Sequence, residues 1–267
     1  MEPEFLYRVE LAYDGTLYDG FQSQISKNAV QDHVEKALAT LLRHPVRLQG
    51  ASRTDKGVHA QNQVGLFKSS LELKESWLAG VNAILFNDIN VLSVKHAEPG
   101  FHPINSARAK AYRYRLWRGQ CYNPFAKRFV WPVPARVKSE DLWNDLKKFE
   151  GKQDFAAFRS ADSHAKTTVR EILECKVDDR GDLIDIWIVG TGFLKQMVRI
   201  IVGTVVERAI GKKPILEIEE LIARKDRRFC GVTAPAKGLC LVEIFYDQIP
   251  PIDKLVARAG NGLTYSI

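Results

Sequence analysis

Asp55 lies in Ala51-Ser52-Arg53-Thr54-Asp55-Lys56-Gly57-Val58-His59-Ala60, beside a guanidinium and just ahead of a glycine turn, between two apolar segments. A carboxylate so placed can act as a nucleophile if a cation keeps it ionised and a pocket keeps water away. An opposite charge within about 4–6 Å lowers a carboxylate pKa by roughly 1–3 units and opposes the rise that burial causes. Arg53, two positions earlier, points to the same side if the loop is extended there. Taken alone, Thr-Asp before Lys-Gly is also what an ordinary turn or helix N-cap looks like. His59, four residues after Asp55, is a possible base, though packing of the loop explains it as well.

A second group sits in the middle of the chain. Between Pro99 and Ser139 there are nine Lys or Arg residues and no Asp or Glu, which leaves 30 basic against 32 acidic residues elsewhere. That one segment carries the whole net charge of +7. Aromatic residues are interleaved there: Tyr112, Tyr114, Trp117, Tyr122 and Phe125. Basic residues alternating with rings suit a polyanion whose bases can stack. On a strand, Tyr112 and Tyr114 share one face and Arg113 and Arg115 the other. The ordinary alternative is a pair of core tyrosines backed by solvated arginines.

The elements that must position these residues follow from pattern. Leu6 to Tyr13 predicts a strand ending at the Asp14-Gly15 turn. Val30, Val34, Ala37, Leu38, Leu41 and Leu42 predict a helix to about Arg43, stopped by Pro45. Strands at 46–51 and 62–68 flank the Asp55 loop; a helix at about 74–84 and a strand at 89–96 complete a βαββαβ order. The second half repeats it loosely: a strand at Ala109 to Trp117, a helix capped by Ser139, a hairpin through Asp179-Arg180-Gly181, helices at about 193–210 and 215–224, and a strand at 239–246. Arg199 lies on the helix whose apolar stripe is Leu194, Met197, Val198, Ile201, Val202 and Val205. Gly190-Thr191-Gly192 lacks the Gly-Lys-Ser/Thr ending of a phosphate loop and predicts a strand-to-helix turn. The fold class is α+β, with two related ferredoxin-like halves, residues 1–103 and 104–267, whose mainly antiparallel sheets meet at a central RNA-binding cleft.

Several blocks occur in a definite order: Tyr13-Asp14-Gly15, Gly20-Phe21-Gln22, Arg53-Thr54-Asp55-Lys56-Gly57-Val58-His59-Ala60, Gly80-Val81-Asn82-Ala83, Phe101-His102, Ala111-Tyr112-Arg113-Tyr114, Asp154-Phe155 with Phe158-Arg159, Met197-Val198-Arg199 with Ile201-Val202-Gly203, and Ala236-Lys237-Gly238-Leu239. In order and spacing they resemble the tRNA pseudouridine synthase family called TruA. The resemblance implies isomerisation of uridine to pseudouridine at positions 38, 39 and 40 of the anticodon stem-loop. It makes Asp55 the catalytic residue, Arg199 the cation that contacts it, and Tyr112 the ring that stacks on the target uracil. Arg53, Arg113 and Gln22 are expected on the substrate side. It also implies a homodimer. Ser52 departs from the family's usual Gly, which matters only if the backbone there needs a positive φ. Ile104 stands where the family commonly has Arg, which removes an RNA-facing charge.

Composition agrees with a soluble, cytoplasmic enzyme. The chain of 267 residues is long enough for one large or two smaller cores. No apolar run approaches the ~20 residues of a membrane span, and Met1-Glu2-Pro3-Glu4 predicts no secretion signal. Cys121, Cys175, Cys230 and Cys240 are scattered, as reduced thiols are, and show no metal spacing. The isomerisation oxidises nothing and imports no group, so the expected cofactors and metals are none and the expected partner is tRNA. Two competing readings are a non-catalytic structured-RNA-binding protein of the same fold and a small-molecule hydrolase with an aspartyl nucleophile. A pure binder gains nothing from a buried carboxylate between cations, and a small substrate would not explain the basic segment.

Overall fold

The computed structural model describes residues 4–74, 76–120, 124–163, 165–211 and 215–261. In chain order the elements are β1 (Phe5–Tyr13), α1 (Val30–Leu42), β2 (Gln49–Gly50), β3 (His59–Ser69), α2 (Trp77–Ile84), β4 (Ile89–His96), β5 (Ala109–Trp117), β6 (Trp131–Pro132), α3 (Ser139–Lys147), β7 (Gly151–Asp154), β8 (Val169–Arg180), β9 (Leu183–Gly190), α4 (Met197–Ile210), α5 (Ile218–Arg224), β10 (Leu239–Phe245) and α6 (Ile252–Asn261). The class is α+β, and most strand pairs are antiparallel. Two compact units form: Met1–Arg108 with Cys240–Tyr246, and Ala109–Leu239 with Asp247–Ile267. The division falls after Arg108 instead of at 103. Residues 240–246 return to the first unit because Cys240 and Leu241 pair in parallel with His59 and Ala60.

In the first unit β1 runs between β3 and β4, antiparallel to both, and β2 pairs with β3. Alternate β1 side chains Tyr7, Val9, Leu11 and Tyr13 are buried, as a half-buried strand requires. Helix α1 buries Val30, Val34, Ala37, Leu38 and Leu42 on one stripe. It ends one residue before the expected Arg43, which takes a left-handed conformation at φ 58°. The strand expected over 46–51 shrinks to two residues. The Leu48 N–H donates to Glu35 Oε1 at 2.9 Å and its carbonyl accepts from Gln31 Nε2 at 2.9 Å. With both main-chain groups satisfied by α1 side chains, sheet pairing starts only at Gln49.

In the second unit the sheet order is β5-β9-β8-β7, all antiparallel, with β6 parallel to β5. The β8–β9 hairpin turns at Gly181, φ +79°, whose N–H donates to Asp179 Oδ1 at 3.0 Å. Ser139 is not the cap of α3: Lys138 holds the extended cap position and Ser139 is the first helical residue. Helix α4 begins at Met197 and not near 193, because Gln196 is left-handed at φ 62°. Its residues Met197, Val198 and Ile200 to Val206 are all buried, so α4 is a core helix and not one with a single apolar stripe. Strand β7 spans only four residues, too few to show a period, whereas helix α6, which the pattern reading does not include, carries buried Ile252, Leu255 and Val256 at helical spacing.

Candidate active site

Asp55 is half-buried on a turn that its neighbours hold from every side. The Thr54 hydroxyl is 2.8 Å from the Tyr13 hydroxyl, and the Thr54 carbonyl accepts from Phe21 N–H at 3.1 Å. Ser52 N–H donates to Gln63 Oε1 at 3.1 Å while Gln63 Nε2 donates to the Ser52 carbonyl at 2.6 Å. After Asp55, Val58 N–H closes onto the Asp55 carbonyl at 3.1 Å, and Gly57 supplies the positive φ of +78° that the turn needs. Gly20, φ +90°, lies so close that an added Cβ would stand 2.6 Å from the Thr54 carbonyl oxygen. The position of Asp55 is thus fixed by the Tyr13, Gly20-Phe21 and Gln63 segments. Gln63 is fully buried and carries no sequence signal beyond being a polar residue in an apolar strand.

The other candidates of this unit divide. Arg53 is exposed and forms no ion pair among the described residues, so its guanidinium faces solvent beside the turn. Lys56 pairs with Asp19 at 2.7 Å. Gln22 does not project freely: its Nε2 donates to Gln31 Oε1 at 2.7 Å, which supports the loop before α1. His59 is buried, with Nδ1 at 3.0 Å from Asp14 Oδ1 and 3.1 Å from Gly15 N–H. With a proton on Nδ1 it donates to Asp14; with that nitrogen bare it accepts from Gly15 N–H. Either state ties the exit of the Asp55 turn to the end of β1, the packing role the sequence favoured. Ser52 is not among the residues with positive φ, so the Gly-to-Ser departure costs no backbone strain. Ile104 is exposed, an uncharged side chain where an arginine was expected.

The second unit places Tyr112 on β5, 7% exposed, with Phe193 edge-on at 5.1 Å and 86°. Tyr114 is a core residue. Its hydroxyl donates to the Pro235 carbonyl at 2.7 Å, and its ring fills the space a Gly238 side chain would need. Arg199, in the first turn of α4, donates from Nε to the Ala234 carbonyl at 2.8 Å, and Ala234 N–H returns a bond to the Arg199 carbonyl at 3.0 Å. The loop 231–234 comes this close because Gly203 has no side chain; a Cβ there would lie 1.8 Å from the Val232 oxygen. Tyr114, whose ionisation burial opposes, is close enough for the Arg199 charge to act the other way.

The basic segment is less of a surface than its composition suggested. Arg113 is 6% and Arg115 8% exposed, and neither is the solvated arginine of the simple strand reading. Both are matched across the sheet. Arg113 pairs with Trp187 in register and stacks its guanidinium 5.6 Å from that ring, and Arg115 pairs with Asp185 at 2.9 and 3.3 Å. Arg118 pairs with Asp179 at 2.7 Å. The charges that stay exposed are Arg108, Lys127, Arg128, Arg136 and Lys138. Tyr122 and Cys121 lie outside the described residues, while Cys175, Cys230 and Cys240 are free thiols. A hollow of about 690 Å³ beside α3 and α4 is lined by Arg208 and the two carboxylates that pair with it, Asp145 and Glu217, and by none of the candidates. Among the described residues no group of three His, Cys, Asp or Glu side chains is arranged to hold a metal, and no helix is long and apolar enough to cross a membrane.

Comparison with known proteins gives this arrangement a class. Residues 146–247 match a family model described as tRNA pseudouridine synthase. A protein named tRNA pseudouridine synthase A from Pelobacter propionicus is 40% identical over 240 residues, which is 90% of this chain and 98% of that one. One of the same name from Geobacillus kaustophilus is 38% identical over 248 residues, 92% of this chain and 96% of its own. Among solved structures, a Cbf5-Nop10-Gar1 complex is similar over 88% of this chain and 58% of that one, at 9% identity and a TM-score of 0.31. Identity of this extent over nearly the full length of both partners decides the matter: the chain belongs to the tRNA pseudouridine synthase A family.

Proposed function

We infer that this protein isomerises uridine to pseudouridine in tRNA, with Asp55 as the catalytic carboxylate, and that its targets are positions 38, 39 and 40 of the anticodon stem-loop. The observation that carries the reading is the Asp55 turn, a half-buried carboxylate locked by Tyr13, Phe21, Gln63 and Gly57 in a chain of this family. In the reaction the bond from uracil N1 to the ribose anomeric carbon breaks and one from C5 forms. C5 then loses its proton, N1 gains one, and the product is an isomer of the substrate. The carboxylate starts the sequence by attacking the anomeric carbon or by taking a ribose proton; both uses need it ionised, placed and shielded from bulk water.

On this reading Tyr112 stacks on the extruded uracil, Arg199 faces the carboxylate, and Arg53 receives RNA beside it. The two units are related ferredoxin-like halves, and the enzyme is a cytoplasmic homodimer. The β4-β1-β3-β2 order of the first unit and its βαββαβ sequence support the first of these points. The buried, inward-facing Arg113 is better suited to holding β5 against β9 than to meeting phosphate. Pseudouridine mapping of tRNA incubated with the purified protein tests the reading. Modification at 38–40 is the expected result, and none at any uridine overturns it.

Two variants probe the placement of the site. Gly20→Ala forces a Cβ toward the Thr54 carbonyl and so displaces the turn that holds Asp55. A misplacement near 1 Å can cost about 100-fold in rate, so kcat should fall by that order while circular dichroism stays native. Tyr112→Ala should weaken productive tRNA binding by about 1–3 kcal/mol if one stacked base is lost. Tyr112→Phe should bind almost normally in a filter-binding assay. Full activity of Tyr112→Ala would mark Tyr112 as a packing residue against Phe193.

A further inference from the structure

The segment between Gly20 and α1 carries the most exposed large apolar side chain among the described residues: Ile25 is 102% exposed. A freely hinged loop would fold such a side chain back onto apolar surface. This loop is held. Asp19 N–H donates to the Asn28 carbonyl at 3.0 Å, Gln24 Nε2 to the Asp19 carbonyl at 2.7 Å, and Lys27 N–H to the Gln24 carbonyl at 3.1 Å. The Ser23 hydroxyl donates to Asp32 at 2.6 Å and the Asn28 amide to the Leu17 carbonyl at 2.8 Å. Ser23, Gln24 and Lys27 are thus each tied by hydrogen bonds, with Ile25 at the tip between them.

The base of the loop is the catalytic turn itself. Phe21 N–H reaches the Thr54 carbonyl, Asp19 holds Lys56, the residue after Asp55, and Gly57 N–H donates to the Tyr18 carbonyl at 3.4 Å. Two exposed lysines belong to the loop and its base: Lys27 lies 3.7 Å from Asp32, and Lys56 2.7 Å from Asp19. An apolar point rigidly joined to a carboxylate that acts on a base, with two lysines whose exposed ion pairs are weak enough to exchange for phosphate, suits one partner: a stacked step of an RNA strand.

We propose that Ile25 is a positioning residue that wedges into the substrate RNA beside the target uridine and occupies the stack that the extruded base leaves. The proposal rests on the reading of Asp55 as the catalyst of uridine isomerisation and adds the means by which the base is kept out. Apolar side chains inserted between base steps unstack them, and extrusion is hardest for a paired base and easiest for a mismatched one. Ile25 would therefore matter most where the target uridine starts in a base pair.

The test uses the full chain and two stem-loop RNAs that differ only opposite the target uridine, one paired and one mismatched. Because Ile25 touches solvent alone, Ile25→Ala and Ile25→Asp should keep the wild-type Tm. Ile25→Ala should lose about tenfold in kcat/KM on the paired RNA and almost nothing on the mismatched one, with Ile25→Leu restoring the paired rate. A 2-aminopurine placed next to the target should lose its binding-induced fluorescence rise in Ile25→Ala. Equal losses on both RNAs, or none on either, would overturn the wedge. A wild-type protein that forms no pseudouridine on either RNA would instead overturn the reading of the site, and the wedge with it.

Discussion

Asp55→Asn should abolish pseudouridine formation while leaving tRNA binding and the fold intact. Asparagine is nearly isosteric, and the turn is held by main-chain and neighbouring groups that the change does not touch: Thr54 on Tyr13, Ser52 on Gln63, and Val58 N–H on the Asp55 carbonyl. What changes is chemistry. An amide is neither an anionic nucleophile nor a carboxylate base, so both routes open to Asp55 close together. Arg199→Ala should behave differently, because on the proposed reading it removes a supporting cation and not the reacting group. Residual turnover with a lower kcat is expected there, together with some loss of stability from the missing bond to the Ala234 carbonyl. The measurement is pseudouridine accumulation on tRNA, with filter binding on the same samples. Accumulation at the wild-type rate in Asp55→Asn would remove the carboxylate from the mechanism.

The legible part of this site was the part encoded by glycines and by order along the chain. Gly20 and Gly57 have positive φ, and Gly20 and Gly203 allow contacts that no Cβ would permit. The blocks that contain them mark where backbone approaches backbone, which is why they stand out in the sequence beside Asp55 and Arg199. Elements with a clean period were also readable: β4 and β5 begin and end where alternation predicts, and α1 differs by one residue.

The illegible part came from partners far apart in sequence. Nothing in Arg113 or Arg115 says that β5 will be buried on both faces. That follows only when β9 supplies Trp187 and Asp185 in register with them. Asp185 in the apolar run Leu183 to Gly190 was the available signal, since a lone acid in a buried strand needs a cation. Gln63 and Gln22 were illegible for the same reason. Their amides bind the main chain at Ser52 and the side chain of Gln31, and amide partners leave no pattern in composition. The start of α4 was missed because a left-handed Gln196 breaks a helix that its apolar residues would have continued.

Arg115→Ala should be among the most destabilising single changes in the second unit, and its effect on RNA binding should be small. The guanidinium is bonded through Nε and Nη2 to both oxygens of Asp185, and the two side chains are only 10% and 1% exposed. Removing one member of a buried pair strands the other, at a cost of about 3–5 kcal/mol, which for a chain of this size corresponds to a fall in Tm of ~10 °C. A double replacement, Arg115→Met with Asp185→Leu, removes both charges and should recover most of the loss, since a buried pair is often no better than packed apolar side chains. That double variant also decides where the basic segment acts. Each phosphate neutralised by a surface cation contributes roughly 0.7–0.9 to the slope of log K against log salt. If Arg115 is spent inside the fold, the slope for tRNA binding stays at its wild-type value in the double variant, while Lys127→Ala with Arg128→Ala lowers it. A slope that drops by about one unit in Arg115→Met/Asp185→Leu, with Tm restored, would return this arginine to the RNA.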